Sequence, residues 1–385
     1  MSWEYITLGD IASFSNGINF DKSAYSLGIK LISVSDFGNR FSPDFTNLQE
    51  VKKETVREND YLKEGDIVFV RSNGNKELVG RCMLIQHLSQ PVTFSGFVIR
   101  GRIQNTEKYD PVFFTYHFKN IAFRRAMSGT AVGANIQNLS QSRLSAYVAK
   151  IPNIDTQRRI AHILSAYDNL IENNQRQIRL LEEAAQRLYK EWFVDLRFPG
   201  YENTPIVDGV PEGWEKLPIG ELIKSVPRTT QILASDYGKE GLIPIVDQSR
   251  DFIAGYTDNQ SALVNLGKPM IVFGDHTRIL KYIQFPFAKG ADGTQLIISN
   301  RDNMPQSLFY CSLVGVDLSN YHYARHFKYL KAENILVPTQ EIADAFDDFA
   351  APVFTEVQRL RDIMNNAAEA RDRLLPKLMS GEIEV

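Results

Sequence analysis

Two stretches of this chain place apolar residues at helical intervals. Stepping alternately by four and three from Ile160 lands on Leu164, Tyr167, Ile171, Asn174, Ile178, Leu181, Ala185, Leu188 and Trp192, with Asn174 as the one polar position. The same steps from Ile342 give Phe346, Phe349, Val353, Glu356, Leu360, Ile363, Ala367, Ala370 and Leu374, and the one polar residue, Glu356, falls at the same step. A seam of this kind predicts a helix that lays one face against a second helix. Asp155 or Thr156 can cap the first helix and Thr339 the second, because a side-chain oxygen there accepts from the unpaired N–H groups of the first turn. The first pattern stops at Phe198-Pro-Gly200. The second meets Pro376, which forbids a normal helix through its preceding turn, and then Ser380-Gly381. Pro352 lies inside the second pattern, so a kink or fresh start is expected there, with the long rod running from about residue 352.

What precedes each helix has a different period. Short β-branched and aromatic runs, among them Asp66-Ile-Val-Phe-Val70, Phe97-Val-Ile99, Met270-Ile-Val-Phe273 and Gln295-Leu-Ile-Ile298, alternate with Gly- and Asn-containing turns. These read as strand-rich α/β (α+β) globules. The globules also begin alike: Trp3-Glu-Tyr-Ile-Thr-Leu-Gly-Asp-Ile11 and Trp214-Glu-Lys-Leu-Pro-Ile-Gly-Glu-Leu222 share W-E-x-x-x-[LI]-G-[DE]-[IL] at a displacement of 211. The chain is therefore an internal duplication. Its parts are a first globule over 1–153, a helix over 154–197, a linker over 198–213 rich in Pro and Gly, a second globule over 214–337, and a helix with tail over 338–385. Because the second globule starts where helix one ends and finishes where helix two begins, the two helices are expected to run antiparallel, as a coiled coil separating the globules in a pseudo-twofold repeat. A rod of about 36 residues at ~1.5 Å rise spans roughly 54 Å, about one and a half turns of B-DNA.

Composition bounds the classes. The chain has 385 residues, 43% hydrophobic and 23% charged, which suits a globular protein of two or more domains. No apolar run approaches the ~18 residues of a membrane span, and Met1-Ser-Trp-Glu does not open like a signal peptide. Only Cys82 and Cys311 occur, far apart, which suits a reducing compartment, and the expectation is a cytoplasmic protein without a membrane partner. The net charge of -3 and pI near 6.1 argue at first against a polyanion partner. The total hides a partition, however. Residues 1–150 carry 18 Lys and Arg against 14 Asp and Glu, and 214–337 carry 13 against 12, so both globules are basic relative to the rest.

This arrangement resembles the DNA-specificity subunit of type I restriction–modification systems along essentially the whole chain. The residues that carry the resemblance are Pro152-Asn-Ile-Asp-Thr-Gln-Arg-Arg-Ile-Ala161, Lys190-Glu-Trp-Phe193 with Phe198-Pro-Gly200, Gly209-Val-Pro-Glu-Gly-Trp-Glu215 and Leu374-Leu-Pro-Lys-Leu-Met-Ser-Gly-Glu382. Inside the globules, Arg71-Ser-Asn-Gly-Asn75 with Leu78-Val-Gly-Arg81, and Gly274-Asp-His-Thr277 with Arg325-His-Phe-Lys-Tyr-Leu330, look like segments of the family's target-recognition domains. The resemblance implies that each globule reads one half of a bipartite, asymmetric double-stranded DNA site while the helices set the gap and dock modification subunits, two being expected. It further implies no catalysis and no cofactor on this chain. S-adenosylmethionine would belong to the methyltransferase subunits, and ATP to a motor and endonuclease (restriction) subunit.

The chemistry absent from the sequence agrees with a recognition role. There is no G-x-G-x-x-G, no phosphate-cradling G-x-x-x-x-G-K-[ST], and no [DN]-P-P-[YF]. His322 and His326 have the i, i+4 spacing of a metal pair but no supporting ligand, and Pro43-Asp44 with Glu50-Val-Lys52 only superficially resembles a nuclease pattern. A diverged methyltransferase or nuclease with its own recognition domain, and a coiled-coil scaffold that binds proteins only, remain the alternatives at this point.

Base edges are best read by Arg or Lys on guanine and by Asn or Gln on adenine, while hydroxyls and spare cations hold phosphates. In the first globule that inventory is Arg71, Ser72, Asn73, Asn75, Lys76 and Arg81 around Gly74, and a second candidate is the run 128–138 preceded by Arg124 and Arg125. In the second globule it is Asp275, His276, Thr277, Arg278 and Lys281, with Arg325, His326, Lys328 and Lys331 interleaved with Tyr321, Tyr323 and Tyr329. The same residues also fit hairpin turns with solvated charges and tyrosines in a core. No metal site is expected.

Overall fold

The computed structural model describes residues 3–38, 40–73, 78–128, 137–321 and 325–385. They form two compact units, Met1–Asn173 with Ile363–Val385, and Asn174–Asp362. Each unit therefore holds one globule, the beginning of the helix that follows it, and the end of the other helix. No helix among the described residues is long and apolar enough to cross a membrane.

In the first unit the strand Asp66–Val70 lies between Val98–Ile103 and Cys82–Leu84, and Ala12–Asn16 completes an antiparallel sheet of four. All five residues of Asp66–Val70 are buried because the sheet is covered on both faces. Side chains alternate between the faces, so Ile67 and Phe69 enter the core shared with the helix Pro111–Lys119, while Val68 and Val70 enter a second core with Met83, Val92 and Phe94. A further sheet sets Tyr25–Ile32 antiparallel to Gln49–Val51 and parallel to Val92–Phe94.

The second unit repeats this topology. Met270–Gly274, also buried throughout, lies between Leu280–Ile283 and Thr294–Ile297. A bridge from Ile223 to Ser299 takes the place of the fourth strand. Its side chains divide in the same way, Ile271 and Phe273 into one core and Met270 and Val272 into another. Ile243–Val246 runs antiparallel to Gly255–Thr257 and parallel to Phe287–Lys289.

The shared opening motif has one structural job in both copies. Trp3–Thr7 pairs with Val148–Pro152, and Glu215–Pro218 pairs with Asn334–Val337, so each globule is tied off just before its long helix begins. Leu8 N–H then donates to Tyr147 O and Ile219 N–H to Glu333 O. A Cβ at Gly9 would lie 3.1 Å from Ser145 O, and one at Gly220 would lie 3.1 Å from Lys331 O. The glycine of the motif is needed because the chain folds back onto itself there.

The long helices are Ile154–Tyr189, continued by a π turn over Lys190–Val194, and Gln340–Ser380. They run antiparallel in each unit. In the first, Asp168 pairs with Arg371, and Ile160 and Leu164 share a core with Leu375, Leu378 and Met379. In the second, Glu182 pairs with Arg361 at 2.6 Å while Phe193 meets Phe346 at 5.4 Å between ring centres. On the first helix Ile160, Leu164, Asn174, Ile178 and Ala185 are buried, and Ile171, Leu181, Leu188 and Trp192 are half-buried, as the seam requires.

The second helix departs from the expected seam in two respects. It is one uninterrupted element through Pro352 and Pro376, with neither a fresh start at 352 nor a stop before 376. Both prolines are exposed, and the carbonyls deprived of a helical donor belong to the exposed Asp348 and Asp372, where water can serve them. The buried stripe also slips by one residue: Phe349 is 43% exposed while Ala350 is buried, and Phe354, Val357 and Leu375 are buried where Val353, Glu356 and Leu374 were expected. The seam assumed a helix facing only another helix. Phe354 instead packs on Tyr282 and Tyr310 of the globule, at 4.8 and 5.3 Å, so the covered face is wider than a seam. Glu356 pairs with Arg359 on its own helix at 2.6 Å.

Candidate nucleic-acid interface

The candidate residues lie where the two fully buried strands emerge from their sheets. In the first unit Arg71 follows Val70. Its N–H donates to Phe97 O at 2.8 Å, its carbonyl accepts from Leu139 N–H at 2.8 Å, and its Nη1 donates to Gly96 O at 2.9 Å. Next to it, Ser72–Asn73 pairs antiparallel with Gln137–Asn138. Two segments chosen separately from the sequence, 71–81 and 128–138, therefore meet. Arg81 closes the turn through Val70 N–H to its carbonyl at 2.9 Å. Arg124 and Arg125 lie on the helix Ile121–Ser128, which buries Phe123 and Met127, and Arg125 is exposed. Asn75, Lys76 and most of the run 128–138 fall outside the described residues.

The second unit makes the same bonds. Asp275 follows Gly274, its N–H donates to Gly293 O at 2.7 Å, and its carbonyl accepts from His326 N–H at 3.0 Å. Arg71 and Asp275 thus occupy one position of the repeat, as do Leu139 and His326, and Phe97 and Gly293. Around Asp275 three loops close on Gln248. Its Oε1 accepts from His276 N–H at 3.1 Å, its carbonyl accepts from Thr277 Oγ1 at 2.7 Å, and its Nε2 donates to Asp292 O at 2.8 Å. Gly293, at φ +82°, permits that approach, because a Cβ there would lie 2.8 Å from both Gln248 Nε2 and His276 Cδ2. Arg278 also sits in the left-handed region, at φ 61°, with Nη1 donating to Leu318 O at 3.1 Å.

His276, Thr277, Arg278, Arg325 and Lys328 are exposed around this junction. Lys281 and His326 are not. Lys281 is buried on its strand, where Nζ donates to Asp251 O and stands 3.9 Å from the Asp247 carboxylate. Burial pushes its pKa down, against the pull of Asp247. His326 is buried with Nδ1 2.9 Å from Asp275 O and Nε2 3.1 Å from Tyr321 O, which makes it a bracket between segments rather than a surface contact. Tyr321 and Tyr329 stack on each other at 4.1 Å, half-buried, and Tyr321 donates to Glu333. His322 and Tyr323 fall outside the described residues.

The sequence reading missed Gln248 and Phe97, which bond to the candidate loops from neighbouring strand ends. It also missed Ser95 and Ser249, whose hydroxyls are buried and have no hydrogen-bond partner among the described residues. The available signal was a polar turn after a parallel strand, Asp247-Gln-Ser-Arg250 following Ile243–Val246 and Ser95-Gly-Phe97 following Val92–Phe94. Among the described residues no group of three His, Cys, Asp or Glu is arranged to hold a metal ion. The nuclease-like residues are engaged elsewhere: Glu50 accepts from Gly28 N–H, and Asp44 bonds to Thr46 and Arg40.

Comparison with known proteins now bears on this geometry. Residues 1–183 match the family described as type I restriction modification DNA specificity domain. The chain carries that DNA specificity domain over its first 183 residues. It is accordingly a sequence-specific DNA-recognition subunit and not itself a catalyst. The type I restriction enzyme MjaIX specificity subunit of Methanocaldococcus jannaschii is 26% identical over 299 residues, covering 70% of this chain and 68% of that one. The EcoR124I/EcoR124II specificity subunit of Escherichia coli is 32% identical over 100 residues, 26% of this chain and 24% of that one. A crystal structure of the type I restriction–modification S subunit from M. genitalium shares the fold with a TM-score of 0.58 at 15% identity, over 98% of this specificity subunit and 96% of that chain.

Proposed function

We propose that this specificity subunit reads a two-part, asymmetric DNA site with the two surfaces described above. In the first half-reader, Arg71, Ser72 and Asn73 line the strand exit, with Arg81, Arg124 and Arg125 nearby. In the second, His276, Thr277 and Arg278 take that place, joined by Arg325 and Lys328. The observation that carries this reading is that the two sets, unlike in sequence, occupy one position of the repeat, each fixed by the same pair of backbone bonds. A common scaffold with different side chains at its tip is what two unlike half-sites require. The long helices, continuous over Ile154–Tyr189 and Gln340–Ser380, serve as the spacer that fixes the number of base pairs between the half-sites and as the docking surface for two modification subunits. Those subunits carry S-adenosylmethionine and transfer the methyl group, and a restriction subunit consumes ATP.

The test is methylation mapping and DNA binding by the assembled complex. Arg71→Ala and Arg278→Ala are each expected to relax specificity at one position, in opposite halves of the site, at a cost of ~1–3 kcal/mol. A cation that contacts only phosphate would instead weaken binding to all sequences and flatten the salt slope by about one unit. Unchanged modification of the cognate site by both variants would overturn the assignment.

A further inference from the structure

Phe97 is 64% exposed, whereas its neighbours Gly96 and Val98 are buried. The turn that carries it is held from every side. Phe97 O accepts from Arg71 N–H at 2.8 Å, Val98 N–H donates to Ser95 O at 2.9 Å, Gly96 N–H donates to Ile18 O at 2.7 Å, and Val98 O accepts from Gly17 N–H at 3.2 Å. A Cβ at Gly96 would lie 2.1 Å from Asn19 Oδ1 and 3.3 Å from Ile18 O, so a larger residue there would have to displace the Asn19 side chain. The phenylalanine ring is thus presented to solvent from a fixed backbone, directly beside Arg71.

A single exposed apolar side chain is common on protein surfaces and by itself says nothing. Two further observations give this one a meaning. The Ser95 hydroxyl, in the same turn, is buried and among the described residues has no hydrogen-bond partner, so a polar group two residues before the ring is left unsatisfied. In the second unit the equivalent carbonyl acceptor is Gly293, which has no side chain, so the ring is not part of the shared scaffold. A group present in one reader and missing from the other is suited to discriminating sequence.

From this we infer that Phe97 is a specificity-determining residue of the first half-site, whose ring packs on the C5-methyl group of a thymine in the major groove. That methyl is the one apolar marker a base pair shows there, and hydrogen-bonding side chains such as Arg71 cannot read it. The inference rests on the reading of this face as a DNA surface.

The test uses the assembled complex and a duplex carrying the mapped site, with each thymine replaced in turn by deoxyuridine, which removes only the methyl group. The wild-type complex loses about four-fold in affinity at a thymine of one half-site, as expected for one buried methyl group. Phe97→Ala shows a similar loss on the unmodified duplex and no further loss on the deoxyuridine duplex, while Phe97→Leu keeps the sensitivity. Insensitivity of the wild type at every thymine, or undiminished sensitivity of Phe97→Ala, would overturn the inference. A loss in Phe97→Ala with no deoxyuridine effect in the wild type would also overturn it, and would mark the ring as a wedge between bases. Arg71→Ala separates the two levels: if it relaxes one half-site while deoxyuridine is silent, only the thymine contact is wrong, and if it leaves both halves intact the face itself is misplaced.

Discussion

His117 sits among rings. Phe113, Phe114, Phe118, Phe123 and Tyr147 surround its imidazole at centre-to-centre distances of 5.9 to 6.4 Å, and its buried Nδ1 has no partner among the described residues. One edge reaches the surface, yet burial holds its pKa down to about 4 from the usual 6.5. The folded chain therefore keeps His117 neutral where the unfolded chain would protonate it. Its contribution to stability is complete above about pH 6.5 and is lost as the pH falls from there through about 4. Urea unfolding at a series of pH values should show wild type losing about 1–3 kcal/mol relative to His117→Phe over that interval. A difference between the two that stays constant with pH would refute this. The same scale shows what the sequence could reveal about the site. Arg71 and Asp275 were visible as polar residues following apolar strands. Lys281 and His326 were misread because their cover, Asp251 from thirty residues before and Asp275 from fifty-one before, arrives only when the chain folds.

At the scale of elements, the helix pair in the first unit is pinned by a buried polar triad. Tyr116 OH donates to Asp168 Oδ2 at 2.5 Å, and Arg371 Nη1 donates to Asp168 Oδ1, with both side chains of the ion pair about one-tenth exposed. Burial pushes the Tyr116 hydroxyl up, and the Asp168 charge adds to the effect. The triad joins the globule to both helices. Replacing Arg371 by Met leaves a buried carboxylate without its counter-ion and should cost about 3–5 kcal/mol in urea unfolding, whereas Asp168→Leu with Arg371→Met should recover most of that loss. If the double variant is no more stable than the single one, the charge is not what matters there. The existence of these helices was legible from spacing, and their antiparallel sense from the order of globules and helices along the chain. Their exact covered face was not, because a heptad count assumes one partner and residues such as Phe354 serve another.

At the scale of the molecule, duplication is the organising fact, and it extends further than the nine-residue opening motif suggests. The strand orders, the parallel pairing within each second sheet, and the bonds at the strand exits recur in both units. Sequence could show only the motif and the helices, since the strands between them conserve burial and alternation rather than identity. The composition of each unit can be tested with fragments. Residues 174–362 should fold alone, whereas 1–173 should stay loosely packed until a peptide of 363–385 supplies Leu375, Leu378 and Met379 to its core, as followed by amide hydrogen exchange. Full protection of 1–173 without the peptide would contradict this.

The same division sets an order of events on the ribosome. The second unit is one continuous stretch and can close as soon as residue 362 has emerged, while the first globule, made before it, must wait for residues 363–385. Of the two globules, the one synthesised first is thus the one completed second, and a nascent chain that still lacks residues 363–385 cannot present a completed first reader.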